Sequence, residues 1–228
     1  AGFGLYLWRL TRKSSAIVDI LKGAKDKEGR QQALAQLEAS GQAGDAMNAL
    51  ARAQLLAQEK PAEAIAVLEA VDLKKAPVLV QDDVRANLAL LYLSTNRVRD
   101  ARPLVDAMRL DRQPQAQAKA LYAAVMAETM ARTGRAAEAK KLLQTFGGDA
   151  ESQGEARALL LRAQVYTYSA TKNRGLARQA LGQLAEISPM MLAPFAGRGM
   201  HPDIQGLARQ LLTKSGVLPQ AKPRIQRL

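Results

Sequence analysis

Four alanines, Ala64, Ala101, Ala139 and Ala177, are each followed four residues later by an apolar side chain: Leu68, Val105, Leu143 and Leu181. The intervals between them are 37, 38 and 38 residues. Residues four apart share one helix face, and their return at a near-constant period marks an array of helical repeats. Such an array buries its core between neighbouring units and grows in length without enlarging a central core. The 228 residues therefore read as one continuous helical domain. Composition agrees, because 48% of residues are hydrophobic and only 4% aromatic, with Ala, Leu, Gln and Arg prominent, an inventory of helix formers. The absence of cysteine removes a disulfide framework, a thiolate zinc site and a cysteine nucleophile from consideration.

The second unit reads Arg85-x2-Leu88-Ala89-x2-Tyr92, then Asn96, Asp100-Ala101-x3-Val105 and Pro114. The third gives Ala123-x2-Met126-Ala127-x2-Met130, followed by Thr133-Gly134-Arg135-Ala136-Ala137-Glu138-Ala139-x3-Leu143. In the fourth stand Leu161, Gln164, Val165, Tyr168, Ala177, Leu181 and Pro189; in the first, Leu55, then Lys60-Pro61-Ala62-Glu63-Ala64-Ile65 and Leu68. This series resembles the tetratricopeptide repeat, a helix-turn-helix with a W-x2-L-G-x2-Y, A-x3-F and P pattern, over roughly residues 45 to 195. The resemblance implies an all-α fold: a right-handed α-solenoid of about four helix-turn-helix units (about 45–81, 82–119, 120–157 and 158–195), with flanking helices and a C-terminal capping helix. The layout is similar to that of membrane-anchored bacterial members of the family.

The chain departs from the pattern in three places. Its period exceeds the family's ~34 residues, so helices or connections must be longer. The tryptophan place holds Asn48, Arg85, Ala123 and Leu161, and the glycine place holds Arg52 and Val165 in the first and fourth units. What survives is a packing code. Small Ala89, Ala127, Ala101 and Ala139 let two helix backbones approach, Leu88, Tyr92, Val105 and Leu143 fill the adjoining space, and Asn96 and Gly134 suit the left-handed turn that ends a helix.

Flanking segments also read as helical. Residues 14–44 hold a short helix through Ile17, Val18, Ile20 and Leu21, capped by Ser14 or Ser15 and ended near Gly23, and a second from Glu28 to Ala39 that stops before Gly41 and Gly44. Residues 188–202, with Pro189, Pro194, Gly197 and Gly199, read as a connection. Pro202-Asp203 then opens a capping helix bearing Ile204, Leu207, Ala208, Leu211 and Leu212, with Gly216 as its stop, inside segment 196–216. The basic, proline-containing tail, 217–228, is expected to be extended.

Residues 1–13 suggest a membrane link. Ala1 to Trp8 is apolar and then aromatic, and Arg9, Arg12 and Lys13 follow at once. Tyr6 and Trp8 suit the headgroup level with the cations beyond it. Eight residues cannot cross a bilayer that needs ~20, so the expectation is the end of a span whose remainder lies upstream; the alternative is an amphipathic helix packing Phe3, Leu7 and Leu10 on the first repeat. The cations after the apolar end favour a cytoplasmic repeat domain. A periplasmic placement is the second reading, since bacterial single-span proteins with periplasmic repeats have a similar layout.

A formal charge of +12, from 33 Lys and Arg against 21 Asp and Glu, favours anionic partners or membrane surfaces. The cations are spread through the repeats without a recognition-module signature or stacking platform, which ranks nucleic-acid binding below protein binding. No catalytic constellation emerges: His201 is the sole histidine and sits at a helix entry, and the carboxylate pairs Asp82-Asp83 and Asp149/Glu151 are expected at helix starts, where negative charge favours the dipole. No cofactor or metal is implied.

The family resemblance places partner binding on the concave surface lined by the first helix of each pair. Its register points to Asn87, Leu90, Glu128, Arg132, Arg162, Tyr166 and Ser169. Members that grip a C-terminal carboxylate use Lys, Asn and Arg where this chain has Ala49, Ala53, Ala86, Leu90, Ala124 and Glu128, so an extended peptide or a partner helix is the expected occupant. The resulting expectation is a non-catalytic scaffold or adaptor, tethered to a membrane and holding a protein partner, such as a membrane-protein complex. A structural subunit of a fixed membrane complex is the alternative, and a basic nucleic-acid-binding repeat protein is the third reading.

Overall fold

A computed structural model describes residues 17, 20–22, 24, 26–39, 45–146, 155–197 and 199–219. Every regular element among them is helical. A leading helix, α1 (Lys27–Ala39), precedes four hairpins: α2 (Ala46–Leu56) with α3 (Pro61–Glu69), α4 (Val78–Ser94) with α5 (Val98–Asp106), α6 (Ala116–Arg132) with α7 (Ala136–Phe146), and α8 (Glu155–Ala170) with α9 (Arg174–Ile187). A 3₁₀ turn at Leu110–Arg112 links the second and third hairpins. Another at Pro189–Leu192 runs into the short α10 (Ala193–Ala196), and α11 (Pro202–Lys214) closes the array. Tyr6, Trp8, Arg9, Arg12, Lys13, Ser14, Ser15, Gly23, Gly41, Gly44, Asp149, Glu151 and the tail from Gln220 lie outside the described residues.

The long period has a direct structural origin. First helices α4 and α6 contain 17 residues each and α8 contains 16, against ~11–12 for a mean helix. Connecting segments 70–77 and 107–115 add the rest. Because α4 starts at Val78, Asp82 and Asp83 lie in its second turn rather than at its start, which corrects the dipole reading. Both are buried. Asp82 accepts from Arg85 Nη1 at 2.7 Å, and Asp83 accepts from the Tyr122 hydroxyl of the next hairpin. These carboxylates are answered by specific donors across and along helices, as burial requires.

Local chemistry starts and ends each helix. Asp45 Oδ1 accepts from the Met47 and Asn48 amides at 2.6 and 3.2 Å, satisfying two of the orphan donors of α2. Pro61 occupies the first turn of α3, where its missing N–H costs nothing. The turns inside the last three hairpins repeat at 38-residue intervals: Asn96, Gly134 and Lys172 take φ of 61°, 89° and 59°. After each, an amide reaches back to close the helix, Arg97 to Tyr92, Arg135 to Met130 and Asn173 to Tyr168, at 2.7–2.8 Å.

Asn96 and Gly134 thus occupy the left-handed turns expected of them, whereas Lys172 is a strained occupant that composition did not signal. The Gly134→Ala variant is expected to lose about 1 kcal/mol. Nothing crowds a Cβ at that position, so the loss is purely conformational. Lys172→Gly should gain several tenths of a kcal/mol to about 1 kcal/mol. Urea midpoints of the two variants measured beside the parent check both signs.

The core is a chain of clusters rather than one centre. The first joins Ile17, Leu21, Ala33 and Leu37 to Ala51 and Leu55; the next runs from Ala46 to Val125; the third from Ala120 to Ala163; the last from Ala158 to Leu212. Half-buried side chains bridge consecutive clusters: Leu34 and Met47, then Leu90, Leu121 and Met130, then Tyr166 and Met191. Ala64, Ala101, Ala139 and Ala177 are all fully buried, as are Ala89 and Ala127. With no Cγ at these places, the two backbones of a hairpin close on each other. Successive first helices, α4 on α6 and α6 on α8, pack in a row with second helices wedged between them. This nearest-neighbour arrangement is an α-solenoid.

A cross-unit hydrogen bond, with an Arg–Tyr stack beside it, reinforces the array. Tyr92 of α4 donates to Glu69 of α3 at 2.5 Å, and the Arg97 guanidinium lies 4.4 Å from the Tyr92 ring centre. Burial, and then the hydrogen bond to Glu69, push the Tyr92 phenol up to about 12. The same Arg-on-Tyr pairing returns in the groove at Arg132 and Tyr166.

Candidate functional site

Between the last three hairpins and the C-terminal cap lies a cleft of about 750 Å³. One wall is the end of α4, its turn and the start of α5, from Leu93, Ser94, Asn96 and Val98; the floor is Glu128, Ala131 and Arg132 of α6; the far wall is Arg162, Tyr166, Ser169 and Ala170 of α8. Pro194, Gly199, Met200 and His201, between α10 and the start of α11, close it at one end. Long first helices make this possible, since their final turns project past the packed alanines and leave side chains facing the groove.

Glu128 sits at the centre of the arrangement. Its side chain is 3% exposed, and both oxygens are engaged: Oε1 accepts from Arg132 Nη1 at 2.9 Å and Oε2 from Arg162 Nε at 2.7 Å. The first pair is one helical turn apart on α6. The second crosses to α8. Arg132 also reaches backward, donating to Leu93 carbonyl oxygen at 3.3 Å and to Asn96 Oδ1 at 2.6 Å. Its guanidinium stacks 4.7 Å from the centre of the Tyr166 ring. One carboxylate and two guanidiniums therefore tie three consecutive hairpins together and leave a net charge of +1 in a shielded recess.

Tyr166 links this network to the cap. Its ring centre lies 4.8 Å from that of Phe195, tilted at 47°, in the range favoured for aromatic pairs. Burial first, then the negative charge of Glu128, raise the Tyr166 phenol above its ordinary value, with Arg132 and Arg162 opposing. It stays a neutral hydroxyl at physiological pH. Phe195 and Leu192 are fully buried, and α11 holds α10 in place through Gln205 Nε2 to Gly197 oxygen at 2.8 Å and Arg209 Nε to Ala196 oxygen at 3.0 Å. His201 caps α11 by accepting from the Asp203 amide at 3.2 Å, the capping role its position suggested.

The structure brings Glu128, Arg132, Arg162, Tyr166 and Ser169 into one cleft, and leaves two groove-register residues outside its lining. Asn87 bonds the Asp83 carbonyl of its own helix at 2.8 Å. Leu90 is half-buried where two core clusters meet. Leu90, Glu128 and Tyr166 share one register at 38-residue spacing, so the same helix face serves packing in one unit and the cleft in the next two. Sequence reasoning missed the closing wall: 188–202 read as a mere connection, yet Leu192 and Phe195 are core residues and Pro194, Met200 and His201 line the cleft. The isolated Phe195, one of three phenylalanines in the chain, was the available signal.

Among the described residues no group of three His, Asp or Glu side chains stands where it could hold a metal ion. No described helix is long and apolar enough to cross a membrane. In comparisons with known proteins, a tetratricopeptide repeat family model matches residues 55–125. No curated protein and no solved structure matches the chain. The matched segment covers the end of the first hairpin, the whole second hairpin and the first half of α6. Residues 55–125 are thus similar to the tetratricopeptide repeat, and the same turns and buried alanines continue as far as the fourth hairpin in one α-solenoid.

Proposed function

We propose that this protein is a non-catalytic scaffold that holds a protein partner in the groove between its last three hairpins, and that it does so tethered to a membrane as part of a larger assembly. Tetratricopeptide repeats generally mediate protein–protein interaction. The observation that carries the groove reading is the recess itself: a buried ion network, a stacked aromatic and apolar walls from Val98, Pro194 and Met200, gathered from four elements. A concave, preformed surface with a few placed polar groups suits a linear segment or a helix of a partner. The tether rests on the apolar, aromatic and basic order of Ala1 to Lys13, and would raise the partner's effective concentration beside the bilayer.

Photo-crosslinking in cells separates a groove binder from a subunit that uses its outer face. The Tyr166→benzoylphenylalanine protein is expected to trap a discrete partner. The same group at exposed Arg102, on the second helix of its hairpin, is expected to trap none. Crosslinks from 102 with none from 166 would move the interface to the other face and end the groove reading. Extraction of the full-length protein by high salt alone would remove the tether.

A further inference from the structure

Exposed aliphatic side chains gather at one end of the array. Among the described residues the large apolar side chains left in water are Val78, Leu176, Ile187, Met190, Val217 and Leu218, and all but Val78 belong to the last hairpin and the cap. The helices α9 and α11 pack on each other and start side by side, with Arg174 Nη1 3.7 Å from Asp203 Oδ2. Their ends therefore share one edge, where the 3₁₀ turn that carries Met190 touches both. Ile187 closes α9 and Met190 follows by three residues; Val217 and Leu218 come just after α11, their amides held on the Leu212 carbonyl at 3.0 and 3.1 Å. Met190 is 66% exposed, and the other three keep 36–45% of their surface in water. Single exposed aliphatics are ordinary, but four at one edge make a patch that another phase can cover.

The charge near this patch is one-sided. Residues 204–228 hold Arg209, Lys214, Lys222, Arg224 and Arg227 and no carboxylate, with Glu186 the acidic residue beside Ile187. Residues 107–228 carry 18 Lys and Arg against 8 Asp and Glu, whereas 1–106 carry 15 against 13, so nearly all the net positive charge lies in the half that ends here. A two-fold contact with a second copy would set these cations against their own kind. Nucleic-acid bases stack on aromatic rings, and residues 196–228 contain no Phe, Tyr or Trp. An anionic bilayer rewards both features, since aliphatic side chains enter the headgroup layer while cations meet the lipid charge. It also demands no fixed shape, which suits side chains on helix ends and turns.

We propose that the ends of α9 and α11 rest on an anionic bilayer through Ile187, Met190, Val217 and Leu218, with Lys214 and the cations after it as the electrostatic part. This contact stands apart from the groove and from the tether at Ala1 to Lys13.

The chain has no cysteine, so Met190→Cys or Leu218→Cys accepts one environment-sensitive fluorophore. Each labelled full chain is mixed with vesicles of phosphatidylcholine and phosphatidylserine, and with phosphatidylcholine vesicles alone. Emission is expected to shift to the blue, and to resist an aqueous quencher, with the mixed vesicles only; a label at Arg102→Cys should report neither change. Added salt should reverse the shift. Neutralising Lys222, Arg224 and Arg227 as glutamines should weaken binding about fivefold for each cation removed. Met190→Ser combined with Val217→Ser, read from the label at 218, should weaken it about tenfold.

The same titration in a chain carrying Leu5→Ser, Leu7→Ser and Trp8→Ser separates the two membrane contacts, and the shift at 190 and 218 should persist there. Its loss in that background would assign all vesicle binding to the N-terminal segment and overturn the proposal, leaving the tether intact. An equal shift with phosphatidylcholine alone would overturn the electrostatic part. A shift that grows with protein concentration in the absence of vesicles would give the patch to a second copy, and an equal shift with a single-stranded oligonucleotide would give it to a general polyanion. Either result overturns the bilayer contact, while crosslinking from position 166 decides the groove separately.

Discussion

Replacing Glu128 with alanine is expected to destabilise the protein by about 3–5 kcal/mol, the usual cost of removing one member of a buried ion network. The large figure follows from where the partners are. Arg132 and Arg162 keep only 15% and 12% of their side-chain exposure, so neither guanidinium can recover full hydration when the carboxylate goes. Each would face the other across the space Glu128 had filled. The loss should be local as well as large, because stability in a repeat array is a sum of units and their interfaces: amide exchange should rise first over 116–170 and least over 46–69.

A companion experiment tests the cause. Replacing all three side chains together with apolar residues of similar volume should recover much of the loss, since the penalty lies in unpaired charge rather than in missing salt bridges. A loss below about 1 kcal/mol for Glu128→Ala would place the network in the class of exposed pairs and contradict the burial described above.

Phe195→Ala is the second large effect, about 3–5 kcal/mol for a fully buried aromatic. Phe195 has no exposed surface, and it is the contact through which α10 meets Tyr166. Truncation leaves a cavity between the cap and α8. It also frees Tyr166 to move, and with it the stacking of Arg132. Exchange protection should therefore fall over 189–214 and the Tyr166 crosslink should weaken, while the hairpins before Asp106 stay unchanged. Met190→Ala serves as the comparison: Met190 is 66% exposed, and its loss should leave both readouts where they were. Unchanged protection over 189–214 in Phe195→Ala would mean that the cap is held by α11 contacts alone.

These two residues also show how far the sequence could be read. Repetition at 38-residue intervals places Ala101, Ala139 and Ala177 at buried helix crossings and Asn96 and Gly134 at left-handed turns, because each depends on backbone geometry and on contacts within one hairpin. The same register carried Glu128, Arg132, Arg162, Tyr166 and Ser169 onto one face. It could not say that Glu128 would be buried between two arginines, because Arg162 lies 34 residues away and meets it only through the stacking of α6 on α8. Asn87 shows the opposite limit: correct periodicity brought it near the groove, but a carbonyl of its own helix claimed its side chain.

Sequence alone determined the all-helical class, the repeated hairpins, their period and the left-handed turns at Asn96 and Gly134, since propensity, spacing and turn chemistry act over a few residues and recur along the chain. Tertiary structure alone decided that residues 189–201 fold back as a wall, that two aspartates sink into the second turn of α4, and that a net positive recess forms at the end of the groove. Those outcomes depend on the distance and angle between neighbouring hairpins, which emerge from the packing of many side chains at once and have no local signature.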